Sequence, residues 1–227
     1  MWLHILAMAC MLCDHLWGTI VPGNDWLTCI GRIAVPIFAF MLVEGYFRTK
    51  NLGRYVRRLL LFAVISEIPF NFMMAGGWLY PFHQNTIFTL ALGLWAVSIL
   101  EELRDKTVGR GKGLLLLAVA ALLSVVGFPD YGWQGVLTVV LFYVMRGHRL
   151  AWMGQLAGMV VIHCLLFEGQ TLPWLLDLPL QSFAVLALIP IWLYNGQLGR
   201  GGKAFRQAAY WYYPLHMIAL AIIRRMI

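Results

Sequence analysis

Charged residues are scarce in this sequence of 227 residues, where Asp, Glu, Lys and Arg together make up only 12%. Hydrophobic residues account for 61% and the mean hydropathy is +0.76, values that exclude an ordinary soluble globular domain. Since a membrane span needs roughly 20 apolar residues, the length allows on the order of nine spans and no separate domain. The sequence therefore predicts an all-α, polytopic transmembrane helix bundle over residues 1–227, with about nine spans in a range of roughly eight to ten.

The sequence also lacks the signals of several common functional sites. It has no glycine-rich phosphate loop and no metal-binding H-E-x-x-H motif. All four cysteines lie in apolar stretches, so we interpret them as packing residues and predict no metal site. The first residues, MWLHILAMACMLCDHLWGTIVP, have neither a basic leading segment nor a small-residue cleavage site. That pattern favours a retained first span over a removed signal peptide.

Basic residues indicate how the predicted spans are oriented. The hydrophobic runs place spans at about 2–21, 26–47, 55–76, 84–101, 113–128, 132–146, 150–168, 181–195 and 206–223. Of the 17 Lys and Arg residues, 14 lie in alternate loops. The loop 48–58 contains five, 101–113 four, 146–149 two and 196–206 three. By the positive-inside rule, these loops and the N-terminus are predicted to be cytoplasmic in a multi-pass protein of the inner or plasma membrane. This distribution also argues against nucleic-acid binding.

The intervening loops contain no basic residue and include the acids Asp25, Asp130, Glu168 and Asp177. Arg224 and Arg225 fit this orientation poorly, because nine spans would place them outside. Two explanations remain open from the sequence: the last span is broken, or the number of spans differs by one.

Several ionisable residues lie inside predicted spans, where each costs roughly 2.5 to 3.5 kcal/mol unless it has a partner, a cavity or a function. They are Asp14, His15, Arg32, Glu44, Glu67, His163 and His216, with Asn71, His83 and Asn85 near an outer helix end. The first two spans flank a turn, VPGND, that places Arg32 level with Asp14 and His15. We therefore predict an ion pair between Asp14 and Arg32, which would leave His15 free to face a cavity. Alternatively, the pair only holds two helices together.

A basic cluster follows the second span. Glu44 at the predicted membrane edge precedes Arg48, Lys50, Arg54, Arg57 and Arg58. Two interpretations stay open: contact with anionic lipid headgroups, or binding of a polyanionic cosubstrate such as the phosphates of coenzyme A.

Five segments of the chain resemble the TraX family, whose founding member acetylates the amino terminus of pilin. They are MLCDHLWG, IGRIAVPIFAFMLVEGYFRTKN, RYVRRLLLFAVISEIPFN, NTIFTLALG and YYPLHM. The resemblance implies a polytopic inner-membrane acetyltransferase that uses acetyl-coenzyme A, akin to the transmembrane acyltransferases. In that superfamily an intramembrane histidine of an early helix is considered catalytic, and His15 is the residue that matches it. The E-G-Y-F element adds Tyr46 to the predicted cosubstrate-binding residues.

These observations predict that His15 acts as a general base or transient acetyl carrier, assisted by Asp14 and Arg32. Further supporting residues are Glu67, Asn71, His83, Asn85 and His216, of which Asn71 and Asn85 are alternatives to Arg32 as oxyanion donors. The predicted acceptor is an amine or hydroxyl of a pilin-like peptide, a glycan or a small molecule. Membrane lipids are the other expected partners, and a homodimer is compatible with the sequence. The rival hypothesis is a transporter in which Asp14, Arg32 and Glu67 form a charge relay.

Overall fold

Helices make up most of the computed structural model, which describes residues 1–167, 169–175, 177–196 and 203–227. The α-helices are α1 (Trp2–Thr19), α2 (Asp25–Gly31), α3 (Ala34–Arg48), α4 (Leu52–Met74), α5 (Thr86–Arg104), α6 (Arg110–Val126), α7 (Gly132–Met145), α8 (Ala151–Val160), α9 (Leu188–Trp192) and α10 (Lys203–Met226). Helix α8 continues as a π-helix (Val161–Leu166), and 3-10 helices cover Pro173–Leu175 and Leu180–Ala187. Strands β1 (Thr171–Leu172) and β2 (Leu178–Pro179) form a small antiparallel pair.

Each of the nine predicted ranges is occupied mainly by helix, although Glu168 and residues 197–202 lie outside the described part of the chain. Two ranges are less regular than predicted. The range 181–195 is largely 3-10 helix, and the range 26–47 is broken between α2 and α3. Pro36 explains the break, because it has no N–H to donate to the carbonyl of Arg32. Arg32 therefore lies at an interruption within an apolar helix.

Two helical stretches in the described residues, Asp25–Arg48 and Thr86–Arg104, are long and apolar enough to cross a membrane by length and composition. Shorter apolar helices cover Gly132–Met145, Ala151–Leu166 and Leu180–Trp192. The outside of the bundle also exposes large apolar side chains, among them Val64 of α4 and Leu115 of α6. An apolar exterior of this kind suits lipid and is unusual in water. These features indicate a membrane protein.

Helices α1, α3, α5 and α7 enclose the largest hydrophobic core. Its fully buried members include Leu3, Ile37, Leu94 and Phe142. A second core lies between α4 and α10 and includes Phe70, Met73, Met217 and Leu220. Helix α10 also contacts α1, so the last helix closes the bundle beside the first.

The C-terminal arginines form a contact between α10 and α4. Arg224 Nη1 donates a hydrogen bond to the carbonyl of Met73 and Arg225 Nη2 to that of Gly76, both at 2.9 Å. The last carbonyls of a helix lack intrahelical partners and attract cations, so these arginines cap the C-terminal end of α4. Helix α10 is continuous from Lys203 to Met226, so the last span is not broken. The contact with the α4 carbonyls accounts for both arginines at this end of the bundle without a change in the number of spans.

Candidate active site

Asp14 and Arg32 form the ion pair that their positions in the first two predicted spans indicated. Arg32 Nη2 lies 3.3 Å from Asp14 Oδ1, which confirms the predicted pairing. Thr28 joins both partners, since its hydroxyl donates to Asp14 Oδ1 at 2.6 Å and accepts from Arg32 Nη2 at 2.9 Å. Gly31 permits this close approach of α1 and α2, because a Cβ atom there would lie 2.4 Å from the Cβ of Asp14.

Tyr131 is a further partner of Arg32 that the sequence did not reveal. Arg32 Nη1 donates to the Tyr131 hydroxyl at 3.3 Å. Tyr131 precedes α7 with a φ of +66°, in the left-handed region that non-glycine residues rarely adopt. Strained backbone of this kind often occurs at functional sites. We name Asp14, Thr28, Arg32, Tyr131 and the adjacent Asp130 the Arg32 cluster.

Asp130 connects the Arg32 cluster to His83, one of the predicted supporting residues. Its carboxylate lies 3.2 Å from His83 Nε2 and accepts from the Thr86 hydroxyl at 2.6 Å. The hydrogen bond to Asp130 raises the pKa of His83, against the opposing effect of burial. The sequence places Asp130 in a predicted loop and carries no signal of a role at the site. Its role depends on the pairing of two loops, in which Gln84 N donates to the Phe128 carbonyl and Asp130 N to the Gln84 carbonyl.

Glu67 and Asn85 pair with each other instead of joining the Arg32 cluster. Asn85 Nδ2 donates to Glu67 Oε2 at 2.7 Å and to the Ala63 carbonyl at 2.8 Å, and Asn85 Oδ1 caps the N-terminus of α5. Both amide hydrogens of Asn85 are thus engaged within the fold, which leaves neither for an oxyanion. Asn71 is buried nearby on α4, and its Oδ1 has no hydrogen-bond partner within the described part of the chain.

His15 is buried against the last helix, so the prediction that it is free to face a cavity is wrong. Its Nδ1 lies 2.7 Å from Nε2 of His216, and both residues are less than 10% exposed. The ring of Tyr213 packs edge-on against both imidazoles. Because 201 residues separate the two histidines, only the packing of α1 against α10 brings them together.

A cavity of about 280 Å³ lies beside Arg32. Its walls include Trp17, Phe167, Gln170, Leu180 and Gln181. The indole Nε1 of Trp17 is buried and has no hydrogen-bond partner among the described residues. The cavity therefore combines apolar side chains with the polar side chains of Arg32, Gln170 and Gln181, a common composition for a small-molecule site.

The predicted basic cluster is divided into two parts at the opposite end of α3. In the first, Glu44 accepts from Arg48 Nη2 at 2.7 Å and from Arg146 Nε at 2.9 Å. Phe47 packs between Tyr46, at 5.2 Å between ring centroids, and the Arg146 guanidinium, at 4.3 Å from its ring. Arg146 lies in the predicted loop 146–149, and no feature of the sequence marks it as a site residue.

The second part is exposed and lies at the start of α4. It contains Arg54, Arg57 and Arg58, with Lys50 just before the helix. Arg58 lies over the ring of Tyr210 at 5.1 Å, so part of its role is packing against α10. The 15 residues of α3 span about 22 Å, which separates both basic groups from the Arg32 cluster.

The Asp14–Arg32 ion pair is expected to couple the two residues in stability. Asp14→Ala or Arg32→Ala alone should each lower the free energy of unfolding by about 3 to 5 kcal/mol, because the surviving charge loses its partner. The double variant should lose less free energy of unfolding than the sum of the losses of the two single variants. Chemical unfolding in detergent measures this, and the exposed pair of Arg104 and Asp105 is the control, with an expected coupling of about 0.2 to 1 kcal/mol. Additive losses for Asp14 and Arg32 would contradict the coupling.

Comparisons with known proteins relate this chain to one family. The chain is 29% identical over 235 residues to the probable fimbrial assembly protein FimC, serogroup H1, of Dichelobacter nodosus. The alignment covers 96% of this chain and 92% of that protein. No solved structure matches the chain. The family model described as TraX protein matches residues 1–224, and the chain therefore belongs to the TraX family.

Proposed function

We propose that this protein is a membrane acetyltransferase that moves an acetyl group from cytoplasmic acetyl-coenzyme A to an amine or hydroxyl acceptor. The single observation that carries the proposal is the position of His15, a buried imidazole held by a second histidine and adjacent in sequence to Asp14 of the partly buried Asp14–Arg32 pair. Membership of the TraX family and the similarity to a protein named for fimbrial assembly support a pilin-like peptide as the acceptor.

We further propose that the chain crosses the inner membrane nine times with its N-terminus in the cytoplasm. The nine helical regions and the confinement of 14 of 17 basic residues to alternate loops support this topology. In this orientation Arg48, Arg146 and the start of α4 face the cytoplasm, where acetyl-coenzyme A is made. The Arg32 cluster lies in the outer half of the bundle.

The proposed topology predicts the location of reporter fusions. A reporter fused after residue 52 or residue 108 should be cytoplasmic, because these positions lie within loops rich in basic residues. A reporter fused after residue 78 or residue 130 should be active only as an exported enzyme. Fluorescence of green fluorescent protein fusions reports cytoplasmic positions, and activity of alkaline phosphatase fusions reports exported positions. Reversed activities at both pairs would contradict the orientation.

In the proposed reaction His15 removes a proton from the acceptor as the acceptor attacks the thioester. A bond forms between the acceptor nitrogen or oxygen and the acetyl carbon, and the carbon–sulfur bond breaks. The proton taken by His15 passes to the departing thiolate. General-base catalysis of this kind contributes roughly 10² to 10⁴ in rate.

Arg32 is the proposed oxyanion donor. Its three hydrogen bonds, two to Thr28 and one to Tyr131, occupy three of the five guanidinium N–H groups. Nη2 also faces Asp14 in the ion pair, so the second N–H of Nη1 is the group left for a ligand. Because Arg32 also lines the cavity, that N–H would be available to a carbonyl or hydroxyl oxygen. We therefore propose the cavity as the entrance for the acceptor.

The exposed arginines of α4 are the proposed binding site for the coenzyme A phosphates. Coenzyme A carries its thioester at the end of a long flexible arm, away from its phosphates, which suits a site divided between two ends of a helix bundle. Arg48 and Arg146 already share the carboxylate of Glu44, so Arg54 and Arg57 are the basic residues with more freedom to bind a new anion.

Replacing Arg54 or Arg57 by Gln should raise KM for acetyl-coenzyme A about 5- to 100-fold and change kcat little, because these residues bind substrate far from the reacting atoms. Steady-state kinetics with acetyl-coenzyme A and its 3′-dephospho analogue measures the effect. At least one of the two substitutions should raise KM for the 3′-dephospho analogue less than it raises KM for acetyl-coenzyme A. Arg110→Gln and Lys112→Gln, in another basic loop, are the controls. Equal small effects of all four substitutions on both substrates would favour lipid contact.

His15→Asn should abolish turnover, because an amide has no basic lone pair, while its N–H can still donate to His216. His15→Ala should also abolish turnover but lower the free energy of unfolding by about 1 to 3 kcal/mol, since it leaves a buried partner unpaired. Coenzyme A binding should persist in both variants, as the phosphate site lies at the far end of α3. Thermal unfolding, ligand binding and turnover of the purified variants test this. Turnover of His15→Asn within threefold of the unmodified protein would remove His15 from the mechanism.

A further inference from the structure

We propose that His216 is a positioning residue that holds His15 in the tautomer protonated on Nδ1, so that the basic lone pair is on Nε2. This inference rests on the proposed function for its catalytic meaning, but the hydrogen-bonded arrangement itself is independent of the reaction. Hydrogen bonds run from the backbone carbonyl of Tyr212 on α10 through the ring of His216 to Nδ1 of His15.

The direction of the hydrogen bonds follows from what each group is able to donate. His216 Nδ1 lies 2.7 Å from the carbonyl oxygen of Tyr212, and a carbonyl oxygen only accepts. His216 therefore carries its proton on Nδ1, and in the neutral ring its Nε2 is an acceptor. The neighbour of that acceptor is Nδ1 of His15, at 2.7 Å, so His15 must donate from Nδ1. The remaining nitrogen of His15, Nε2, then holds a lone pair.

The ring geometry agrees with a hydrogen bond in the plane of both imidazoles. Their planes differ by only 5° and their centroids are 4.9 Å apart. With nitrogen atoms 2.7 Å apart, this separation corresponds to two coplanar rings meeting edge to edge, so face-to-face stacking is excluded. His216 is itself held by the ring of Tyr212, which stacks on it with centroids 4.8 Å apart.

The reverse direction would require a buried charge. If His216 donated from Nε2 as well as from Nδ1, it would be an imidazolium at the buried contact between α1 and α10. No ion pair joins His216 to a carboxylate in the described part of the chain, and the charges that act on its partner His15, Asp130 and Arg32, oppose each other. An uncompensated cation inside a membrane protein is costly. The neutral arrangement, with both rings protonated on Nδ1, is therefore the favoured one.

This arrangement performs the orienting part of the task that a carboxylate performs in a Ser-His-Asp triad. His216 accepts from Nδ1–H of His15 and directs Nε2 toward the acceptor. When Nε2 takes the acceptor's proton, the Nδ1–H bond to His216 is retained, and the new charge is shared between two rings. The proton then leaves from Nε2 to the thiolate, which restores the starting tautomer. A neutral partner achieves this orientation without adding a further carboxylate to Asp14 and Asp130.

Nitrogen-15 NMR of histidine-labelled protein in detergent reads the tautomer without any substrate. His15, assigned by its loss in His15→Asn, should show a protonated Nδ1 and an unprotonated Nε2. His216→Leu should move the proton of His15 to Nε2, the tautomer that free imidazole side chains prefer. An Nε2-protonated His15 in the unmodified protein would overturn the proposal.

Kinetics then separates positioning from packing. His216→Leu should lower kcat on the order of 10²-fold with KM for acetyl-coenzyme A unchanged, because only the base is misdirected. His216→Gln presents a carbonyl oxygen to His15 Nδ1 and should keep kcat within about tenfold. Tyr213→Phe, which keeps the aromatic contact to both rings, is the control and should be unaffected. Equal loss of kcat in the Gln and Leu variants would overturn the positioning role.

The two proposals fail in distinguishable ways. If the NMR experiment shows the Nδ1 tautomer and its loss in His216→Leu, but no acetyl transfer occurs, the proposed function is wrong and the arrangement of the histidines stands. If acetyl transfer depends on His15 but is unchanged in His216→Leu, the function stands and the positioning role is wrong.

Discussion

The cost of placing charge inside an apolar helix bundle determines how the region around Arg32 is arranged. Arg32 lies at the break between α2 and α3, and its guanidinium is satisfied by Asp14, Thr28 and Tyr131. These partners come from α1, from α2 and from the residue before α7. Pairing this one partly buried cation thus fixes the relative positions of three parts of the fold. The same partners place Asp130 and, through it, His83 beside the candidate active site.

The two histidines add a second constraint, which joins the two ends of the chain. His15 is on the first helix and His216 on the last, and their hydrogen bond is buried at the contact of α1 with α10. Helix α10 is further attached to α4 by Arg224 and Arg225. A base positioned by such a contact exists only when the whole bundle has assembled. Acetyl transfer by the proposed mechanism would therefore be sensitive to the packing of α10, even at residues far from the reacting atoms.

The separation of the basic residues from the polar cluster suits a reaction between partners on different sides of a membrane. The length of α3, about 22 Å, lies between Arg48 and the break at Arg32. In the proposed function the cosubstrate would bring its thioester along the bundle, and the acceptor would enter beside Trp17 and Arg32.

The sequence by itself determined the helical regions, because apolar runs of sufficient length leave the backbone few alternatives in a membrane. It also determined the Asp14–Arg32 pair, since two residues equally distant from a tight turn must lie at similar depth. Local chemistry was sufficient in both cases. Tertiary structure alone decided the partners of His15, of Asp130 and of Glu44, because each contact joins elements that are distant along the chain. No spacing or motif encodes such contacts; they arise when the packing of several helices brings distant polar side chains within hydrogen-bond distance of one another.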